Sequence, residues 1–298
     1  MVACSPYAAP VAVLVQLVVS ALIAAFGLVA PASGPAGPPN PDYCGLHYGQ
    51  ALGEVFTWQG FTFQKYVGDA ACETHRQGTY SADDVRVDDS GNLVISASRD
   101  CGWPSPCGAP TYSIGRVKLV EPQMGGIDFE WGFEAKLPEA SVPGARSALW
   151  LVNLDQIHCD PLWGELDVLE WYSFQPDKVH SATHVTCTDA TYSSWHHKPD
   201  TAAWSVGGPT GFHRYVVRKQ GLTVSYLFDG EVYATDTCSD VIAASTCAAV
   251  LDKPWTAILQ TAVFADDSGP FTRPDPDAAF PTQSLVVRDM WVRPAPRV

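Results

Sequence analysis

Trp163-Gly164-Glu165-Leu166-Asp167-Val168-Leu169-Glu170-Trp171-Tyr172 sets three carboxylates into an otherwise apolar, strand-forming run. Side chains of a strand alternate between its faces, so Glu165 and Asp167 share one face while Leu166 and Val168 share the other. Strict alternation would send Glu170 to the face of the leucines, where an unpaired buried charge is costly. A one-residue bulge near Val168-Leu169 avoids that cost by returning Glu170 to the acidic face. Three acids on one face of one strand repel one another, an arrangement that stability alone does not select.

Outward from this stretch, short runs rich in β-branched and aromatic residues recur between Gly, Pro, Asp and Asn: Val85–Val87, Asn92–Ser96, Ile127–Leu137, Ala148–Asn153, Leu166–Trp171, His180–Thr186, Phe212–Lys219, Thr223–Phe228, Ala257–Val263 and Leu285–Val292. Asp229-Gly230, between Tyr226-Leu227-Phe228 and Glu231-Val232-Tyr233, is a two-residue hairpin signal, and Gly91-Asn92 after Asp88-Asp89-Ser90 is a similar turn. With no helical periodicity between the runs, the pattern predicts an all-β sandwich of two antiparallel sheets rather than alternating β and α units. A turn around Gln175-Pro176-Asp177 would place His184 opposite Asp167 or Val168 on the neighbouring strand.

The chain has 298 residues, and its 18 Lys and Arg against 32 Asp and Glu leave a formal net charge of −14. No basic run offers counterion release from a phosphate backbone, so nucleic acid is excluded as a partner, and the acidic excess favours a neutral ligand over sulfated or uronate-rich polymers. Residues 11–30 are almost wholly apolar and precede Ala30-Pro31-Ala32, so residues 1–32 read as an export signal, or as an N-terminal membrane anchor if they stay uncleaved. Residues 33–41 form a Pro/Gly linker, and 42–298 the folded domain. A secreted monomer is expected, with membrane association only through an uncleaved N-terminus. Without Cys4, eight cysteines remain: Cys44, Cys72, Cys101, Cys107, Cys159, Cys187, Cys238 and Cys247. An even number in an exported chain suggests disulfides, and nearness favours Cys101 with Cys107 and Cys238 with Cys247. With no CxxC pair and no HExxH, a zinc site is not expected.

Two carboxyl groups about 5–5.5 Å apart can cleave a glycosidic bond with retention, one attacking the anomeric carbon and the other protonating the leaving oxygen. On a flat strand the Cα atoms of Glu165 and Glu170 would lie roughly 13–16 Å apart, so sheet curvature, the bulge and two leaning side chains must close the gap. Asp167, between them, is placed to orient Glu165. Crowding in a desolvated site raises the pKa of whichever partner serves as the acid. No GxSxG elbow, phosphate loop or dinucleotide fingerprint is present, which leaves serine hydrolase, kinase and dehydrogenase readings without support.

Gly164-Glu165-Leu166-Asp167-Val168-Leu169-Glu170 resembles the catalytic signature of glycoside hydrolase family 16, in the bulged form with two residues between the Asp and the second Glu. Gly132–Pro138, Ala148-Leu149-Trp150-Leu151, Phe212-His213-Arg214-Tyr215, Phe228-Asp229-Gly230 and Val287–Arg293 are similar to further segments of that family, in its order. The resemblance implies a concanavalin-like β-jelly roll with a sugar cleft on its concave sheet. It implies Glu165 as nucleophile, Glu170 as general acid/base and Asp167 as the residue assisting the nucleophile. His184 falls where the family has a histidine on the neighbouring strand, and Trp150 and Trp163 match aromatics that stack on sugar rings. Bulged members act mostly on β-1,3-glucans, so the implied partner is a neutral β-glucan and the implied activity an endo-β-1,3-glucanase, with β-1,3/1,4 linkages also open. A wall-remodelling transglycosylase and a non-catalytic glucan-binding protein on the same fold are the alternatives.

Three departures bear on substrate rather than reaction type. Arg146-Ser147 stands where glucan-cleaving members often have Trp-Pro, Gln260 replaces a common Asn, and Phe264-Ala265 replaces Gly-Gly. Arg146 and Gln260 are therefore candidate substrate-binding residues. His196-His197, near Trp195 and Trp204, read as a loop, either on the bare surface or in contact with sugar. No cofactor is required for such a reaction and no catalytic metal is expected. Some members carry a structural calcium on the convex face, where Asp289 would contribute together with backbone oxygens.

Overall fold

A computed structural model describes residues 50–69, 76–100, 111–139, 142–153, 162–185, 195–197, 211–240, 242–265, 267 and 272–296. The expected export segment, the linker, the boundary at residue 42 and the Cys101–Cys107 pair lie outside these residues, as does Trp204. No helix among the described residues is long and apolar enough to cross a membrane.

The chain opens with β1 (Gln50–Trp58), β2 (Phe61–Asp69), β3 (Arg76–Gln77), β4 (Thr79–Tyr80), β5 (Val85–Val87) and β6 (Leu93–Arg99). β7 (Tyr112–Leu119), β8 (Phe129–Lys136), β9 (Ala145–Val152), β10 (Gly164–Tyr172), β11 (His180–Val185) and β12 (Trp195–His197) follow. The last strands are β13 (His213–Gln220), β14 (Thr223–Phe228), β15 (Glu231–Thr237), β16 (Thr256–Phe264) and β17 (Gln283–Pro294), with the helix α1 (Ala244–Leu251) before β16.

Hydrogen-bonded pairing arranges them as two antiparallel sheets of a β-jelly roll. One runs β12-β11-β10-β9-β16-β7-β2-β1 and the other β15-β14-β13-β8-β17-β6-β5. A short ladder between β6 and β7, from Ala97↔Ile114 to Arg99↔Tyr112, joins them. The two-residue β4 is the exception in direction, running parallel to β7. Inward-facing residues of both sheets meet in one core, where Trp131, Trp171, Trp255, Phe63, Phe129 and Phe133 are all fully buried. Burying a large apolar side chain stabilises the fold by about 1.5–3 kcal/mol, so this layer dominates its energetics.

Each run expected to be a strand is one, with ends shifted by a few residues. Asp229 and Gly230 take φ of 49° and 94°, the paired positive angles of the tight hairpin their sequence demands. At the other expected turn the Asp88 carboxylate accepts from the Ser90 and Asn92 amides. The expectation of strands without helix needs correction at α1. Eight residues are too few to display a periodic stripe, yet Ala-Ser-Thr-Cys-Ala-Ala-Val-Leu is rich in good helix formers. The expected disulfide Cys238–Cys247, with Cα atoms 5.8 Å apart, ties this helix to the end of β15.

Candidate active site

β10 lies between β9 and β11, and its first residue is pinned from behind. Asn153 donates from Nδ2 to the carbonyls of Leu162 and Val250, 2.9 Å each, and its Oδ1 accepts the Gly164 amide at 2.7 Å. A Cβ at Gly164 would stand 2.7 Å from Val250 Cγ1 of α1 and 3.0 Å from the Trp255 ring, so any larger residue here must push α1 or the ring aside. Along β9, Asp167 pairs with Trp150 and Leu169 with Leu149, leaving Val168 as the extra residue. Its carbonyl takes a hydrogen bond from Ser181 Oγ at 3.0 Å, which satisfies a group that the bulge removes from the ladder. Val168 and Leu169 therefore both enter the core, with Leu166 and Trp171. Glu165, Asp167, Glu170 and Tyr172 take the opposite face, as the acidic pattern requires.

His184 reaches this face from β11, but in a different register from the expected one. It sits opposite Glu165, and Asp167 is opposite Ala182. The hairpin turns about Phe174-Gln175, where Tyr172 O accepts the Gln175 amide, slightly before the expected centre. The imidazole still meets Asp167 diagonally, with Nε2 3.0 Å from Oδ2, and lies 3.9 Å from Glu165 Oε1. From β9, Arg146 donates to Glu170 Oε1, and the Tyr172 side chain lies beside the same carboxylate.

Burial and neighbouring charge drive these groups apart. Glu165 is pushed up to about 8, first by desolvation and then by the charge of Asp167. Asp167 is raised as well, by burial and by Glu170. Burial opposes charging of His184, but the hydrogen bond and charge of Asp167 outweigh it and bring it to about 9. The two shifts on this contact pull opposite ways, and we place the proton on His184, where the bond to Asp167 becomes charge-assisted. Burial also works against ionised Glu170, but the Arg146 guanidinium prevails and holds it below the ordinary glutamate range. At neutral pH a protonated Glu165, two carboxylates and two cations leave the cluster without net charge, the condition under which so many ionisable groups tolerate burial.

Of the other expected site residues, Trp150 lies on this face beside Ala148, Val152 and Ile258, at 7% exposure. The Trp163 ring stands 6.3 Å from that of His184. Gln260 is fully buried opposite Ala148, and its Oε1 accepts from Arg116 Nε at 2.7 Å. It thus orients a second guanidinium, which lies over the rings of Tyr66, Tyr80 and Trp150. Sequence reasoning passed over Arg116, although a charged residue inside the strand Tyr112–Leu119 is a visible signal. It also passed over Tyr172, the next side chain after Glu170 on the same face. Among the described residues, Glu165, Asp167 and His184 are the group whose potential metal-binding atoms come together, all within 4.8 Å. Among the described residues, Asp289 belongs to no such group.

The fold and its three-acid face define a jelly-roll domain built around a carboxylate site. No protein-family model and no curated protein matches the chain. Solved structures do. An endo-1,3-β-glucanase from Streptomyces sioyaensis matches with a TM-score of 0.62 at 18% identity, over 87% of this chain and 98% of that one. The catalytic domain of a laminarinase from Thermotoga petrophila RKU-1 matches at 0.59 and 20% identity, over 80% and 93%. A β-glucanase from Bacillus licheniformis matches at 0.58 and 16%, over 84% and 99%. At these identities the likeness shows the fold these domains share.

Proposed function

We propose that the protein is a secreted retaining endo-glycosidase of glycoside hydrolase family 16, cleaving internal β-1,3 or mixed β-1,3/1,4 bonds of a neutral β-glucan. The observation that carries this reading is the bulge at Val168, which turns Glu165 and Glu170 to one face with Asp167 between them. The glucanase activity named for the structural neighbours supports it. In this mechanism the proton held by Glu165 passes to Glu170 once substrate is bound, after which the Glu165 carboxylate attacks the anomeric carbon while Glu170 gives that proton to the departing oxygen. Glu170 then takes a proton from water, whose oxygen displaces Glu165 and restores the carboxylate. His184, 3.9 Å from Glu165, stabilises that carboxylate as it leaves.

The ion pair between Arg146 and Glu170 favours a second reading in which the two glutamates exchange roles. A group held ionised suits a nucleophile, and one raised to about 8 suits an acid. Trapping with a 2-deoxy-2-fluoro-laminaribiosyl fluoride, followed by mass spectrometry of the peptide spanning 163–172, separates them. Label on Glu165 supports the first assignment, and label on Glu170 the exchange.

The activity itself is tested by incubating the purified protein with laminarin, lichenan, agarose and xyloglucan and measuring new reducing ends. Laminarin and lichenan are expected to be cut, with Glu165→Gln at least about 10³-fold slower while still binding. Equal traces from wild type and variant on every polymer would refute the enzyme and leave the glucan-binding protein. Products longer than the substrate, at high acceptor concentration, would identify a transglycosylase.

A further inference from the structure

Arg146 stands where the family resemblance anticipates an aromatic residue, and its surroundings give it a different task from binding sugar. β9 sets Arg146 opposite Tyr172 and Ala148 opposite Glu170, so the guanidinium reaches Glu170 along a diagonal of one face. It donates to Glu170 Oε1 and lies 6.0 Å from the centre of the Tyr172 ring, which flanks the same carboxylate. The side chains of the pair are 14% and 11% exposed, so salt and water screen their attraction little. The other titratable groups around Glu170, among the described residues, are Glu165, Asp167 and Tyr172 of its own strand and His180 and His184 of β11. β16 presents the neutral Gln260 opposite Ala148. Arg146 makes the ion pair with Glu170, whereas His184 is engaged by Asp167.

We propose that Arg146 is a positioning residue, which pins the Glu170 carboxylate beside Tyr172 and thereby decides that the transferable proton of the site rests on Glu165. The pinning is a property of the free protein. Only its consequence for rate rests on the glycosidase reading.

The test follows the carboxyl resonances of ¹³C-glutamate-labelled protein through a pH titration, with Glu165→Gln and Glu170→Gln assigning the two signals. In the wild type Glu165 is expected to titrate above Glu170. In Arg146→Gln the Glu170 midpoint should rise by at least about one pH unit, a tenfold gain in proton affinity, and the gap to Glu165 should narrow or invert. Arg146→Lys keeps the cation without the planar fork and should restore at least about half of that shift. Arg146→Met, which retains the stem over Tyr172, takes the place of the glutamine variant if that one does not fold. A loss of packing alone would not move a titration midpoint. A Glu170 midpoint displaced by less than about 0.3 unit in the neutral variant overturns the proposal.

On laminarin, the acidic limb of kcat/KM, which Glu170 sets because it titrates below Glu165 in the free protein, should move to higher pH in Arg146→Gln, with kcat changing more than KM. An acidic limb that stays in place in an active Arg146→Gln variant overturns the proposal. If the wild type cuts no polymer, the glycosidase reading fails while the titration still decides the role of Arg146.

Discussion

Glu165 and His184 make the stability of the protein depend on pH in the same direction. Each titrates higher in the fold than in the unfolded chain, at about 8 against 4.5 for Glu165 and about 9 against 6.5 for His184. The stability each contributes is complete below the unfolded value and is lost as pH rises through the folded one. Glu170, held low, works the other way, and its contribution is lost as pH falls below the ordinary glutamate range. The melting temperature should therefore peak at about pH 4–5 and decline toward alkaline pH. Glu165→Gln removes a carboxyl that must otherwise ionise in a buried place, so at pH 8 the variant should melt higher than wild type, and near pH 5 alike. A difference of a few degrees is expected by calorimetry, at about 2–4 °C per kcal/mol for a domain of this size. Parallel curves would mean that Glu165 is already charged in the fold. The identities of these acids were legible from alternation alone, whereas the partner of Arg146 was not, because a diagonal contact appears only when the register between two strands is known.

The bulge in β10 can be tested as an element. Val168 is the residue without a counterpart on β9, so its deletion leaves a regular strand that keeps Glu165, Asp167 and Glu170 on the acidic face. The deletion should fold, with a loss of about 1–3 kcal/mol for the missing core side chain in urea unfolding. Deleting Leu166 instead would turn Glu165 into the core, and that variant should not give a cooperative transition. If the two deletions behave alike, Val168 is not an inserted residue. At the start of the same strand, Gly164→Ala would drive a methyl into Val250 of α1, and a loss of about 1–3 kcal/mol is expected. The bulge was foreseeable because burying a carboxylate is costly wherever the strand lies. The position of His184 was less so, since a turn displaced slightly toward the N-terminus and the bulge, which offsets β10 against β11 by one residue between Asp167 and Glu170, both shift the pairings beyond them. α1 went unseen for want of length.

At the scale of the whole molecule, the chain carries −14 yet builds a site that balances its own charge. The Cys238–Cys247 bridge ties β15 to α1, and α1 to Asn153 and the start of β10. Replacing both cysteines by serine should lower stability by about 2–4 kcal/mol, read as a lower melting temperature that added reductant no longer changes. A variant as stable as oxidised wild type would show that the bridge does not support the helix. By itself the sequence determined what depends on neighbours along the chain: the alternating strands, the Asp229-Gly230 hairpin, the Cys238–Cys247 disulfide and the common face of three acids. Parity, turn chemistry and the cost of burying charge act within a few residues, so they can be read without coordinates. Only the tertiary structure decided where the proton of the site resides, because Arg146, Glu165, Glu170 and His184 come from three strands. Burial and Coulomb attraction depend on distances that exist only after those strands have paired.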